Sequence, residues 1–148
     1  VTPLIRTDRL CKKHGCFGEV ALKLEYFNPA SSVKDRIAKA MIDDAEKKGL
    51  LTPHSNPQQI IIEATSGNTG IGQAFIAASR GYKLILAMPE SMSEERKGLL
   101  RGMGAELVLT AAPERMDGAT RKAEQIAART PYSFMPKQFE NPANPLAH

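Results

Sequence analysis

The sequence predicts an α/β fold: a parallel sheet carrying helices on both faces. Three observations predict it. Strand-like and helix-like stretches alternate along most of the chain, the order that produces parallel strands joined by crossover helices. One strand, Gln59 to Ala64, is nearly all apolar, as a strand covered on both faces must be. A polar, glycine-bearing turn, Thr65 to Gly70, follows that strand directly, and the C-terminal ends of parallel strands are where ligands usually bind.

The elements follow in order. Residues 19–27 alternate well enough for a first strand. Asn28-Pro29-Ala30-Ser31-Ser32 reads as a turn into a helix, with Ser32 and Asp35 spaced as a capping box. Ile37, Met41, Ile42 and Ala45 share one face of that helix, and Gly49 stops it. After the strand at 59–64, Ile71 to Arg80 reads as a helix ended by Gly81. Lys83 to Met88 is the next strand, stopped by Pro89. Ser93 caps a helix to Met103, closed by Gly104. Ala105 to Thr110 is a strand, Asp117 to Arg129 a helix, and Tyr132 to Met135 a short last strand. The tail, Asn141 to Pro145, reads as a proline-punctuated loop.

Composition narrows the function classes. With 148 residues and 42% hydrophobic content, the chain can bury one domain-sized core. The net charge of +4 is spread among acids, as in Glu94-Glu95-Arg96-Lys97, which predicts solvated helix faces and not a nucleic-acid stripe. Trp is absent and aromatics are 5%, so no base-stacking platform is expected. No apolar run reaches the roughly 18 residues of a membrane span, and residues 1–6 lack a signal-peptide pattern. Cys11 and Cys16 with His14 do not complete a four-ligand zinc site and read as incidental thiols in a loop; no metal is expected. Low cysteine content favours the cytoplasm.

Two constellations carry chemistry. Lys34 falls in the first turn of its predicted helix, where the helix dipole disfavours a cation. A lysine placed there suits use as a neutral amine, the form that attacks an aldehyde to make a Schiff base. Thr65-Ser66-Gly67-Asn68-Thr69-Gly70 sets three hydroxyls and an amide at a helix N-terminus, an anion site of side-chain donors and backbone N–H groups. Competing motifs fail. No Walker A string is present, and Gly70-Ile71-Gly72-Gln73-Ala74-Phe75 lacks the last glycine of a dinucleotide fingerprint.

Together with Thr2-Pro3-Leu4-Ile5-Arg6, Asn28 to Arg36, Glu63 to Gly72, Met88 to Ser93, Gly104 to Val108 and Gln138 to Pro145, these strings occur in an order that resembles the cysteine synthase branch of the pyridoxal-phosphate enzymes. These share the fold of the tryptophan synthase β-subunit (fold type II). The resemblance implies a three-layer lobe of a two-lobe enzyme about twice this length. In that scheme residues 1–30 open the larger lobe, and residues 31–148 form the smaller, substrate-carboxylate-binding lobe and return to the larger. Lys34 is implied to hold pyridoxal 5'-phosphate covalently and to act as general base. Asn68 is implied to meet the cofactor's ring hydroxyl. Thr65, Ser66, Gly67, Asn68, Thr69 and Gln138 are implied to bind the substrate's α-carboxylate.

The implied reaction is β-replacement of O-acetyl-L-serine by sulfide through an aminoacrylate, giving L-cysteine and acetate. Cystathionine β-synthase, which joins serine to homocysteine, and a non-catalytic binding protein on this fold are the alternatives. The implied partners are a second copy of the chain, in a homodimer, and the C-terminal tail of serine acetyltransferase. The family's phosphate loop and ring-nitrogen partner match nothing in these residues, so the 148 residues alone are expected to be inactive.

Overall fold

A computed structural model describes residues 2–65 and 67–148. Its centre is a four-stranded, all-parallel sheet of β3 (Ile60–Ala64), β4 (Lys83–Pro89), β5 (Glu106–Thr110) and β6 (Ser133–Phe134), in the order β5-β4-β3-β6. β1 (Leu4–Arg6) and β2 (Ala21–Lys23) form a separate antiparallel ribbon, with Ile5 opposite Leu22. The helices are α1 (Asp8–Lys13), α2 (Lys34–Lys47), α3 (Asn68–Arg80), α4 (Glu94–Gly102), α5 (Arg115–Ala127) and α6 (Ala143–Leu146).

Side-chain alternation along the central strands separates two cores. Ile61, Leu84, Leu86 and Met88 face one way and pack with Ile42, Ala45, Ala74, Ala77 and Leu100 from α2, α3 and α4. Ile62, Ala64, Ile85 and Ala87 face the other way and pack against Ala119 and Ala123 of α5. The sheet therefore sits between two helical layers, the three-layer architecture expected. The helix stops fall where the glycines predict, with positive φ at Gly49, Gly81 and Gly104. Ser93 caps α4, its hydroxyl accepting from the Arg96 N–H at 3.4 Å.

Several expectations need correction. The strand read over residues 19–27 is only Ala21–Lys23, lies outside the parallel sheet, and is followed by a 3₁₀ turn at Glu25–Phe27. Alternation specifies a strand but not which sheet it joins. The Cys11 segment is the short helix α1, and the tail contains the single turn α6. α3 begins at Asn68, three residues before the expected Ile71. The Ser32–Asp35 capping box is displaced: Ser32 Oγ accepts from the Lys34 N–H at 3.2 Å, and Asp35 Oδ2 accepts from the Ala30 N–H at 2.6 Å.

Candidate active site

Lys34 is the first residue of α2 and is exposed. The loop that presents it is fixed from both sides. Asn28 Nδ2 donates to Glu25 O and Glu25 Oε2, both at 2.6 Å, and the Ser31 N–H donates to Asn28 O at 2.8 Å. From the helix side, Asp35 holds Ala30 and Arg36 Nε donates to Glu25 Oε2 at 3.0 Å. Arg36 also reaches Thr2 Oγ1 at 3.0 Å. The Arg36 guanidinium, then the Asn28 amide, hold the Glu25 carboxyl down at about 2. An ionised Glu25 therefore joins the N-terminal ribbon to the turn that carries Lys34.

The second constellation sits where β3 runs into α3. The Thr65 N–H donates to Ala87 O at 3.1 Å, continuing the β3–β4 pairing one residue further. Thr65 Oγ1 accepts from the Gly67 N–H at 3.3 Å, a bond that does not use the hydroxyl proton. Gly67 is the N-cap residue of α3 in extended backbone, and among the described residues no side chain caps this helix. A helix start leaves its first N–H groups without intrahelical acceptors, which favours an anion there. Asn68 is exposed and Gly67 half-buried, whereas Thr65 and Thr69 are only 3% and 4% exposed. Ser66 lies outside the described residues.

Two glycines decide how these pieces meet. A Cβ on Gly72 would lie 3.0 Å from both Lys34 O and Ala38 Cβ, so its absence lets the first turn of α2 press against α3. A Cβ on Gly70 would lie 2.6 Å from Thr65 Cγ2. At Gly67, by contrast, an added Cβ would meet nothing within 4 Å, and the loop is open on that side. Lys34 and the Thr65–Thr69 loop, 31 residues apart in sequence by their numbers, thus stand at the ends of two directly packed helices.

Gln138 joins them from the far end of the chain. It is buried, with Nε2 donating to Ala64 O at 3.4 Å. Beneath it lies Glu63, 4% exposed, which the sequence reading passed over as a site residue. Glu63 Oε2 accepts from the Gln138 N–H at 3.3 Å and from Gln73 Nε2 at 3.4 Å, and Oε1 accepts from the Ala64 N–H at 3.1 Å. Burial pushes the Glu63 carboxyl up, against the backbone N–H groups of Ala64 and Gln138 that pull it down. The available signal was a lone charged residue near the C-terminal end of an otherwise apolar strand.

The chemistry of this set fits pyridoxal phosphate in part. An exposed primary amine stands at one helix start. An uncapped helix start with an exposed amide, suited to a carboxylate, stands beside it.

A fold of parallel strands with an exposed lysine at the start of a helix packed on its neighbour matches a known class along its whole length. Residues 1–148 fit the model of the pyridoxal-phosphate dependent enzymes, and the chain belongs to that family. Among its relatives are a probable cysteine synthase of Bacillus subtilis (strain 168), 54% identical over 147 residues, and a cysteine synthase of Flavobacterium sp., 52% identical over 147 residues. Each match covers 99% of this chain, with 45% and 46% of the respective relative. A solved structure of an O-ureido-L-serine synthase superposes with a TM-score of 0.89 at 41% identity, over 99% of this chain and 44% of that one. The chain thus spans a little under half the length of the relatives it matches, and the family's cofactor is pyridoxal phosphate.

Proposed function

We propose that the protein to which this chain belongs is a cysteine synthase, exchanging the acetoxy group of O-acetyl-L-serine for sulfide to give L-cysteine and acetate. The observation that supports this reading is the packing of the α2 start on α3 through Gly72, with the Lys34 backbone oxygen 3.0 Å from where a Gly72 Cβ would lie. The relatives at 54% and 52% identity support it. Pyridoxal phosphate supplies an aldehyde for amines and an electron-withdrawing ring that makes the substrate's Cα–H acidic. Lys34 would hold it covalently, and the Lys34 amine would take the proton from the substrate's Cα. Asn68 would hold the cofactor's ring hydroxyl.

The substrate carboxylate lies at the α3 start. The exposed donor there belongs to Asn68, while the Gly67 N–H must turn from Thr65 Oγ1 to reach the carboxylate, with Ser66 between Thr65 and Gly67 in sequence. Thr65 and Thr69 act from beneath, the Thr65 oxygen accepting from the Gly67 N–H. Gln138 reaches the carboxylate by giving up its 3.4 Å bond to Ala64 O. Holding the carboxylate fixes the Cα–H bond relative to Lys34, which is the positioning that proton transfer requires.

In this reading residues 1–30 open the larger lobe, whose exposed apolar side chains await the rest of the protein. Residues 31–148 form the smaller lobe and the return. The protein works in the cytoplasm as a homodimer, with the C-terminal tail of serine acetyltransferase as a further partner. The 148 residues alone are inactive.

The test is turnover of the full-length protein with O-acetyl-L-serine plus sulfide, against serine plus homocysteine. The first pair is expected to react faster, and Lys34→Ala to lose both turnover and the visible cofactor band. Negligible turnover of O-acetyl-L-serine would sink the reading. The likeness to an O-ureido-L-serine synthase supports a second acceptor, a hydroxylated urea attacking through oxygen, and that nucleophile belongs in the same assay.

A further inference from the structure

The short helix α1 ends in a specific turn. His14 is its C-cap, Gly15 follows with φ +63°, the Cys16 N–H donates to Cys11 O at 3.0 Å, and the Gly15 N–H donates to Lys12 O at 3.5 Å. This is a Schellman closure, in which the residue after the left-handed glycine is carried back over the last full helical turn, and the side chains of the two bridged residues commonly touch. In most proteins that contact is apolar. Here both positions are cysteine, and the turn brings the two thiols near enough for each to shift the other's titration. Neither is in a disulfide; Cys11 is half-buried and Cys16 exposed.

The surroundings suit exchange chemistry. Thr7 Oγ1 lies 3.5 Å from Cys11 Sγ. The Thr7 hydroxyl, followed by Cys16, holds the Cys11 thiol below its ordinary range, while the neighbouring Cys11 pushes the Cys16 thiol up. Both thiols line one open cleft with Arg6, Lys12, Asp8 and Glu19, so a small reagent can approach. Among the described residues no three His, Cys, Asp or Glu side chains converge as a metal would require.

We propose that Cys11 and Cys16 form a reversible dithiol–disulfide pair, oxidised by small-molecule disulfides of the glutathione type. The Cys11 thiolate attacks one sulfur of the small disulfide, whose S–S bond breaks. The first thiolate leaves and takes up the proton that Cys11 released. Cys16 then loses its proton and attacks the Cys11 sulfur, forming the intramolecular bond and expelling the second small thiolate, which takes that proton. Two protein thiols are oxidised and one disulfide is reduced to two thiols. The product staples the end of α1, in a part of the molecule with few other contacts to hold it.

The test uses full-length reduced protein in buffers of graded oxidised-to-reduced glutathione ratio, quenched by alkylation and read by peptide mass. The expected result is one transition in which the peptide carrying both cysteines loses the mass of two hydrogens. Cys16→Ser, whose site is exposed, should instead take up one glutathione on Cys11. Gly15→Ala should shift the midpoint toward the dithiol by roughly fivefold or more, because alanine resists the left-handed conformation that pairs the thiols. The proposal is overturned if wild-type thiols take up glutathione independently, stay alkylatable throughout, or pair between chains. An unshifted midpoint in Gly15→Ala overturns it equally, since the turn would not be what brings the thiols together.

Discussion

The N-terminal ribbon and the central sheet are both made of alternating strands, yet they differ in almost everything else. In β1, α1 and β2, the apolar side chains Leu4, Ile5, Leu10 and Leu22 are all exposed, and none of the three elements buries a residue. In the central sheet Ile61, Ile62, Leu86 and Met88 are fully buried. A strand gains stability from what covers its faces, not from its pattern. The central strands have α2, α3 and α4 on one side and α5 on the other, whereas nothing in the described residues covers the ribbon. Its anchorage is polar instead: Glu25, Arg36 and Thr2.

The sharpest way to break this contrast is a pair of truncations. Leu86→Ala should destabilise the 148-residue chain by about 3 kcal/mol, the cost of a cavity in a packed core. Leu22→Ala should cost no more than about 0.5 kcal/mol, as at an exposed site. Urea unfolding measures both. A comparable loss from Leu22→Ala would mean the ribbon is covered after all. The same pair in the full-length protein tests whether the larger lobe covers it, for then Leu22→Ala becomes costly.

A second substitution probes the joint between helices. Gly72→Val should cost roughly 2 kcal/mol by overpacking against Lys34 O and Ala38. It should also weaken amino-acid binding in the full-length enzyme, because it moves Lys34 away from the carboxylate loop. Unchanged KM would separate the packing role from the positioning role.

The polar link between the regions has its own signature. Glu25 has a folded pKa of about 2 against an ordinary 4.5, so its contribution is present above 4.5 and is lost as pH falls toward 2. Arg36→Ala should flatten the acid limb of the stability profile in that window. An unaltered limb would show that the ion pair contributes nothing, as many partly exposed pairs do.

Glu63 gives the smallest effect, with the opposite sign. Its carboxyl is raised by burial, so its favourable contribution is complete below its unfolded pKa and is lost as pH rises through the folded value. Glu63→Gln should remove that loss, making the variant relatively more stable as pH increases. A constant difference between the two proteins across the pH range would refute this assignment.

Much of this was legible in the chain. The run Ile60-Ile61-Ile62 announces a doubly covered strand, Gly49, Gly81 and Gly104 mark helix ends, and Ser93 marks a helix start, because these signals are local backbone and side-chain preferences. Lys34 and the Thr65 loop stood out because each places unusual chemistry at a helix start. Glu63 did not stand out, since its role depends on meeting the Gln138 N–H, 75 residues away. The Ser32–Asp35 cap differs from the expected box because the three-dimensional turn brings the Lys34 N–H to Ser32 and the Ala30 N–H to Asp35.

From α2 to β6 the sequence by itself determined the main element types, the parallel sense of the strands and the residues able to do amine and carboxylate chemistry, since all of these follow from periodicity and from functional groups. Only the tertiary structure decided which strands share a sheet, and that β1 and β2 stand apart from it. It also decided that Gly72 presses the Lys34 turn onto α3. Those outcomes depend on which surfaces find a partner, and a surface's partner is set by contacts between residues far apart in the chain.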